Sequence, residues 1–420
     1  MIDRTREPAL KKPSTIELKD PVKIQGTSGW PLYAFHQPGY EITRIEIVFP
    51  AGMSSHSNFL MGPAVNQLMD DGTKTKTSFE ISNFFESYGA AFYGEGSYNY
   101  ASLTLVALSK HIDQLLPVVN EIISEPVFPE KELQHYRDEN QQRLLVEQKK
   151  VSYQARKKFF NLLFGSTSVY GFEEKPDDFS SVSKEELIQF HKVNYVGKGV
   201  CVIISGNADE AMISMVDSML PRLNSPVLKL KVPDYETSKE RKLHIEKDNA
   251  LQTAIRIGRT FPDRQHPDFI PFSILQTILG GYFGSRLMAN IREEKGYTYG
   301  INTIMQSLPG VTAFYIATEV GKKVKDAAIE EIYKEMNSLN EPVGEDELNL
   351  VKNYLFGHFQ RAVDGPLQLS KIFKTMHLQG ADFGYFRNYL NALNFITPEV
   401  LSEMANKYLN RVDYHEVTVG

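Results

Sequence analysis

Residues 279–300 read LGGYFGSRLMANIREEKGYTYG, a glycine-rich turn followed by a charged segment. The G-x-x-x-x-G-K-S/T layout of a phosphate-binding loop is missing, because Arg286 follows the glycines in place of Lys and Ser or Thr. Glycine has no side chain, so Gly280 and Gly281 suit either a tight turn or the close approach of a bound strand. We interpret the stretch as the end of one helix that turns tightly into the next.

Outward from this stretch, the hydrophobic pattern predicts alternating strands and helices in the first half of the chain. A strand is indicated at 42–49, where an apolar run ends in a Pro-Ala-Gly turn. Helices are indicated where apolar residues recur on one face. The predicted segments are helices at 58–69, 78–88 and 112–123, a long charged helical stretch at 131–163, and a hairpin at 91–108.

The two halves of the chain end in the same local plan. Ser183 opens a capping box at the start of a helix, and the strand that follows ends at Gly206. Near the C-terminus, Thr397 precedes a proline at the first helical position, and the next strand ends at Gly420. This recurrence, about 210 residues apart, predicts an internal duplication. Two unrelated α+β domains that end alike remain the alternative.

The length and the proline pattern predict the division into domains. The chain has 420 residues, enough for two or three domains. A polar, proline-containing stretch at 221–242 is typical of an exposed linker. We therefore predict an N-terminal lobe over 1–220 and a C-terminal lobe over 243–420.

Composition and charge exclude several classes of function. The net charge of −6 argues against a nucleic-acid binder, which usually carries a basic excess. No stretch approaches the ~20 apolar residues that a membrane helix needs. Residues 1–13 show no secretory signal, so we expect a cytoplasmic protein, or a periplasmic one if a signal has already been removed. Cys201, the single cysteine, lies in an apolar run and is expected to be a buried core thiol rather than a nucleophile.

A metal or nucleophile site is not visible in the local motifs. No two of the ten histidines lie four positions apart, and none stands in a His-x-x-Glu-His run. A single cysteine excludes a multi-cysteine zinc site, and no G-x-S-x-G elbow is present. From the residues alone, a self-sufficient metallopeptidase is therefore unsupported.

The stretch 279–300 resembles the signature of the family that contains pitrilysin, the insulin-degrading enzyme and mitochondrial processing peptidase. C-terminal lobes of that family carry a segment like GGxxSSRLxxxLREKxGLxYG. Three further segments resemble family elements in the same order, at 47–52, 71–73 and 164–171. The resemblance covers nearly the whole chain. It implies an α+β fold of two homologous lobes, each a mostly antiparallel β-sheet packed with α-helices.

Active members of the family bind zinc through an inverted His-x-x-Glu-His motif, whose Glu is the general base. Counted back from 72–73, this motif falls on Pro63, Asn66 and Gln67, and the third ligand falls near Arg143. Neither a ligand nor the base is present at these positions. The resemblance therefore implies that this chain has no metal cofactor and does not hydrolyse peptides alone.

The resemblance also implies that a second part of the family's site is present. Family members have an Arg and a Tyr, seven positions apart in the C-terminal lobe, that close over the substrate opposite the zinc. Arg292 and Tyr299 match this spacing in the matching segment. Donors of this kind stabilise the developing oxyanion of peptide hydrolysis. The alternative is that Arg292 pairs with Glu293 or Glu294 and that Tyr299 is a core aromatic residue.

The leading hypothesis is a non-zinc subunit of a heterodimeric zinc metallopeptidase for unfolded peptides. Arg292 and Tyr299 would be its catalytic residues, and a sister chain would supply the zinc. The expected substrate-binding residues are those of the glycine-rich stretch, namely Gly280, Gly281, Ser285 and Arg286. The loop is short, so general peptide degradation is favoured over presequence processing. A homodimer stays open, as do a structural subunit and a chaperone-like clamshell that binds peptides without hydrolysis.

Overall fold

The computed structural model describes residues 18–224 and 232–420. The segment 1–13 and the central part of the predicted linker, 225–231, lie outside the described residues. The predicted domain bounds therefore remain a prediction. Within the described part, the chain folds into two β-sheets covered by helices, which confirms the α+β prediction.

The first half supplies one sheet and seven helices of the described part. Its strands are β1 (Val22–Gln25), β2 (Pro31–His36), β3 (Ile42–Phe49), β4 (Ala91–Gly96), β5 (Ala101–Leu108) and β6 (Cys201–Gly206). Its helices are α1 (Met61–Leu68), α2 (Ser78–Ser87), α3 (Ile112–Ser124), α4 (Glu130–Glu147), α5 (Val151–Phe164), α6 (Lys184–Asn194) and α7 (Glu210–Met219).

The second half supplies the other sheet. Its strands are β7 (Lys242–Ile245), β8 (Gln252–Phe261), β9 (Ile301–Leu308), β10 (Val311–Gly321) and β11 (His415–Val419). Its helices are α8 (Phe269–Gln276), α9 (Lys325–Ser338), α10 (Glu345–Ala362), α11 (Pro366–His377), α12 (Phe383–Phe395) and α13 (Pro398–Tyr408). Two π-helical segments, Thr277–Gly281 and Met288–Glu294, lie in the glycine-rich stretch.

The two sheets repeat one topology. The first has the order β1-β2-β6-β3-β5-β4, and the second has the order β7-β11-β8-β10-β9. In each sheet a parallel pair, β2 with β6 or β7 with β11, is followed by antiparallel neighbours only. The strands from β2 to β6 thus match those from β7 to β11, each about 210 residues later. This match supports the predicted duplication, and β1 is the addition in the first half.

Each half contributes one helix that packs on the sheet of the other half. Helix α5 packs on β8 and β11, where the Phe159 ring lies 5.3 Å from the ring of Tyr315 on β10. Helix α11 packs on β2 and β6, where the Phe373 ring lies 4.8 Å from the ring of Tyr33. The two halves therefore share their hydrophobic cores rather than meeting along a simple seam.

A buried group of charges lies under one of these exchanged helices. Glu46 on β3 is 1% exposed, and it accepts hydrogen bonds from Lys374 on α11 and from Arg44. Burial disfavours the charged amine, but Glu46, together with Tyr100 and Glu95, outweighs burial and raises the pKa of Lys374. At the matching place in β8, the buried Arg256 donates to the backbone oxygen of Ser152 on α5. Charged side chains thus link each sheet to the helix from the other half that packs on it.

The predicted elements are found with shifted ends. The Ser183 capping box is present, and Pro398 begins α13 as predicted. The long helical stretch predicted at 131–163 is instead two helices, α4 and α5. The break occurs because the Gln148 carbonyl at the end of α4 accepts from the side chains of Gln154 and Lys247, while Lys150 is extended. Helix α1 is also shorter than the predicted 58–69, because Asn58 caps the preceding turn through the backbone N–H of Leu60.

The buried charges lead to a prediction about stability. We expect Glu46→Gln to lower the free energy of unfolding by about 3 kcal/mol, because Lys374 and Arg44 would keep their charges without a full counter-charge. Urea unfolding followed by circular dichroism measures the change. The matched control is Glu95→Gln, since Glu95 also lies 3.3 Å from Lys374 but is 54% exposed. An equal loss in both variants would contradict the importance of burial.

Candidate functional site

Helix α1 holds the positions at which the zinc motif was expected. Its apolar face is anchored by Met61, Ala64, Val65 and Leu68, all fully or almost fully buried. Pro63 is the third residue of the helix, where the missing N–H has no intrahelical partner to lose. One turn later, Gln67 points from the same helical face. The fold of α1 therefore does not depend on the residues at the motif positions.

Asn66, at the position of the general base, holds the end of strand β4. With its amide oxygen turned toward β4, it accepts from the backbone N–H groups of Glu95 and Gly96 at 3.0 and 3.2 Å. The helix lies so close that a Cβ on Gly94 would come within 2.7 Å of the Asn66 carbonyl oxygen. The residue that replaces the expected base is thus a structural contact to an edge strand.

The structure brings the expected motif positions together at one cavity. Pro63 and Gln67 on α1 and Arg143 on α4 line a cavity of about 570 Å³. Further lining residues come from the β4–β5 turn, from α4 and α5 and from the segment after α5, and they are mainly aromatic, amide or cationic. These include Tyr98, Tyr100, Tyr136, Asn140, Arg156, Lys157 and Glu174. The three positions to which the motif was assigned from the sequence therefore lie close together in space.

The residues of this cavity do not fit a zinc ion. Among the described residues, no three His, Cys, Asp or Glu side chains are grouped so that they could hold a metal. Arg143, at the place of the third ligand, donates a hydrogen bond to the Oδ1 atom of the buried Asn140. A proline, an amide and a guanidinium offer no zinc ligand of the usual kind, and the guanidinium repels a cation.

One carboxylate in the cavity is already neutralised. Glu174 pairs with Lys157 and accepts a hydrogen bond of 2.6 Å from the Tyr153 hydroxyl. Burial raises the pKa of Glu174, but Lys157 and this hydroxyl lower it further, so the net shift is downward. Burial raises the pKa of the phenols of Tyr98 and Tyr100, which keeps both neutral. Arg156, Lys157 and Glu174 were not predicted from the sequence. The charge pattern of α5 was the only signal for Arg156 and Lys157, and Glu174 lies in the segment after α5.

The glycine-rich stretch lies in the second half, against strand β9. Gly280 is the last but one residue of a π-helical segment, at a point where a Cβ would come within 2.8 Å of the Thr303 methyl group. Thr303 Oγ1 donates to the backbone oxygen of Gln276 at 2.9 Å, which holds this turn against β9. Gly281, half-buried beside it, borders a cavity of about 470 Å³ together with Phe283. The predicted tight turn therefore lies between two π-helical segments, Thr277–Gly281 and Met288–Glu294.

Two of the expected substrate-binding residues make contacts within the chain. Ser285 is 1% exposed, and its hydroxyl has no hydrogen-bond partner within the described part. Arg286 forms a two-pronged ion pair with Glu347 on α10, at 2.9 and 2.8 Å, and donates to Ser338. These contacts fix the glycine-rich stretch to α10. A substrate-binding role for either residue remains a prediction.

Arg292 and Tyr299 are on the surface near these cavities. The Arg292 guanidinium lies 4.6 Å from the centre of the exposed Phe283 ring, and no ion pair among the described residues includes it. Glu294 instead pairs with Lys295 at 2.8 Å. Tyr299 is 94% exposed and borders a cavity of about 320 Å³. The alternative of a paired arginine and a core tyrosine is therefore wrong.

Comparison with known proteins matches both halves of the chain. Residues 38–163 match the family model described as insulinase, peptidase family M16. Residues 181–355 match the model described as peptidase M16 inactive domain. The chain belongs to the M16 peptidase family. It is a member without the zinc-binding motif, as the sequence predicted.

Individual relatives in this M16 family agree with that assignment. The non-peptidase homolog YmxG of Helicobacter pylori is 24% identical over 74% of each chain. An uncharacterized zinc protease YmxG of Bacillus subtilis is 21% identical over 82% of this chain and 81% of its own. The solved peptidase M16 inactive domain from Pseudomonas fluorescens superposes with a TM-score of 0.83 at 20% identity, over 95% of this chain and 98% of that one. At such identity the last likeness establishes the fold alone.

Membrane-spanning helices are absent from the described ranges 18–224 and 232–420, because no helix there is long and apolar enough.

The shared cavity leads to a prediction about metal binding. We expect the triple variant Pro63→His, Gln67→His, Arg143→Glu to hold about one zinc ion per chain, because two imidazoles one turn apart and a carboxylate would then face one cavity. Metal analysis after dialysis against metal-free buffer measures it. The control keeps Arg143 and introduces the two histidines alone, and it should retain far less zinc. Zinc retained equally by both variants would contradict the placement of Arg143.

Proposed function

We propose that this M16 chain is the non-zinc subunit of a two-chain metallopeptidase that acts on unfolded peptides. A sister chain of the family, which carries the His-x-x-Glu-His motif, would supply the zinc and the general base. This chain would contribute Arg292 and Tyr299 from its second half. The observation that carries the proposal is the exposure of Tyr299, 94% of whose surface is open at the rim of a cavity.

An exposed phenol and an unpaired guanidinium suit a role toward another molecule. Tyr299 contributes almost no buried surface, so it adds little to the stability of its own fold. Arg292 is held over Phe283 without a carboxylate partner in the described part, so its N–H donors remain available. Donors of this type lower the barrier of peptide hydrolysis when they face the developing oxyanion, by about 3 kcal/mol each.

The edge of the second sheet offers a place for the peptide. Strand β9 is the last strand of its sheet, so one side of its backbone has no neighbouring strand. Two cavities meet along this strand, since Gly300 and Asn302 line both of them. Tyr299 lines one cavity, and Phe283 lines the other. The Arg292 guanidinium lies over the Phe283 ring. An extended peptide added to β9 would therefore pass both residues.

A peptide-binding protein without hydrolysis is the second candidate. It is favoured by the complete loss of the zinc motif and by the use of Asn66, at the place of the base, as a contact to β4. The glycine-rich stretch and the exposed Tyr299 suit binding as well as catalysis. The two candidates differ in whether hydrolysis appears when a zinc-bearing sister chain is added.

Activity of the reconstituted pair tests the role of the two residues. We expect the chain alone to be inactive on a quenched fluorescent peptide, and a mixture with its zinc-bearing sister to be active. Arg292→Ala and Tyr299→Phe should each lower kcat of the mixture about 100-fold, because a transition-state donor is lost.

The matched controls are Arg361→Ala and Tyr235→Phe, which remove the same groups elsewhere on the surface. They should leave kcat unchanged. If the Arg292 and Tyr299 variants also keep full kcat, the catalytic role is wrong. If no mixture is active but the chain binds the peptide, the second candidate is correct.

A further inference from the structure

We infer that the cavity at the former motif positions binds the C-terminal carboxylate of an extended peptide. The inference goes beyond the proposed function and does not rest on a partner chain, because all the residues involved belong to this chain. It concerns the cavity between α1, α4 and α5, with its volume of about 570 Å³. Where active relatives place a metal cation, this chain places cationic side chains.

The charge of the cavity favours an anion. Arg143, Arg156 and Lys157 line it together with a single carboxylate, Glu174. Lys157 already neutralises Glu174. Neither arginine forms an ion pair with any residue in 18–224 or 232–420. The cavity therefore carries two uncompensated positive charges in a chain whose net charge is −6.

Both guanidinium groups are held in place and remain accessible. Arg143 is bound to the Oδ1 atom of Asn140, whose amide nitrogen is in turn fixed by the Tyr136 carbonyl at 2.8 Å. Arg156 lies 5.7 Å from the centre of the Tyr153 ring. Each guanidinium has five N–H donors, so most of them remain free for a ligand. A planar carboxylate matches this fork of donors better than a spherical anion does.

The neighbouring edge strand indicates that the carboxylate belongs to a peptide. Strand β4 is the last strand of the first sheet. Five of its six residues are exposed, and the sixth is half-buried. It ends at Gly96, which lines the cavity. Asn66 already occupies the N–H groups of Glu95 and Gly96, so a peptide paired with β4 has to stop there. A strand that runs parallel to β4 would then end with its carboxylate at the cavity mouth.

Binding of short peptides to the isolated full-length chain tests the inference. The probe is an uncharged extended hexapeptide with a fluorophore on its N-terminus, prepared as the free acid and as the C-terminal amide. We expect the acid to bind at least about tenfold more tightly, because a charge-assisted fork of hydrogen bonds is lost in the amide. Fluorescence anisotropy measures both Kd values at low salt.

The variants Arg143→Gln and Arg156→Gln should each remove most of the preference for the acid. Arg361→Gln, which deletes an exposed arginine outside this cavity, should leave the preference intact. Arg143→Lys should give an intermediate value, since it keeps the charge and loses the fork. Thermal unfolding of every variant shows that the chain is still folded, and a variant that unfolds early is replaced by its lysine counterpart.

Equal binding of acid and amide, or an acid preference that survives in both variants, would overturn the inference. A third peptide, an amide with one internal Glu, separates the sources of the carboxylate. If it binds as tightly as the acid, and only while both arginines are present, the cavity recognises an acidic side chain and the assignment to the C-terminus is wrong. None of these outcomes depends on zinc or hydrolysis, so they are distinct from failure of the proposed two-chain peptidase.

Discussion

The buried contact between Glu46 and Lys374 joins two distant parts of the chain, and much of the structure depends on it. Glu46 belongs to the sheet of the first half, and Lys374 belongs to a helix of the second half. Two opposite charges taken out of water tolerate little change in distance, because each is costly without the other. The pair therefore fixes how α11 lies on the first sheet. The matching helix α5 lies on the second sheet over Arg256, so both exchanges are held by polar contacts as well as by apolar packing.

This exchange also determines where the cationic cavity is found. Helix α5 packs on the second sheet through Phe159, and Arg156 and Lys157 of the same helix line the cavity of the first half. A change in the relation of the two halves would therefore move these cations relative to Arg143 on α4. The cavity is built by both halves even though nearly all of its residues come from the first. Its charge depends on the packing between the duplicated units.

Much of the fold could be predicted from sequence because the signals are local. The Ser183 capping box and Pro398 at the start of α13 each involve residues close in sequence. A helix of known period places Pro63 and Gln67 on one face, and both line the same cavity, while their assignment to the zinc-motif positions stays a prediction. The π-helical segments could not be predicted in this way, because they also make contacts that are distant in sequence, such as that of Asn290 with Glu331, 41 positions away. Arg156 was not predicted for the same reason, because most of the residues that line the cavity with it lie on other elements.

The loss of the zinc motif without loss of the fold follows from the way α1 is built. Its stability comes from Met61, Ala64, Val65 and Leu68, which face the core and do not take part in metal binding. The residues that would bind a metal face the cavity, where substitutions cost little core packing. A proline in the first turn and an amide one turn later are both compatible with the helix. Chemistry at the cavity could therefore change while the scaffold stayed the same. What the cavity recognises is then decided by its charges, and in this chain those charges favour an anion.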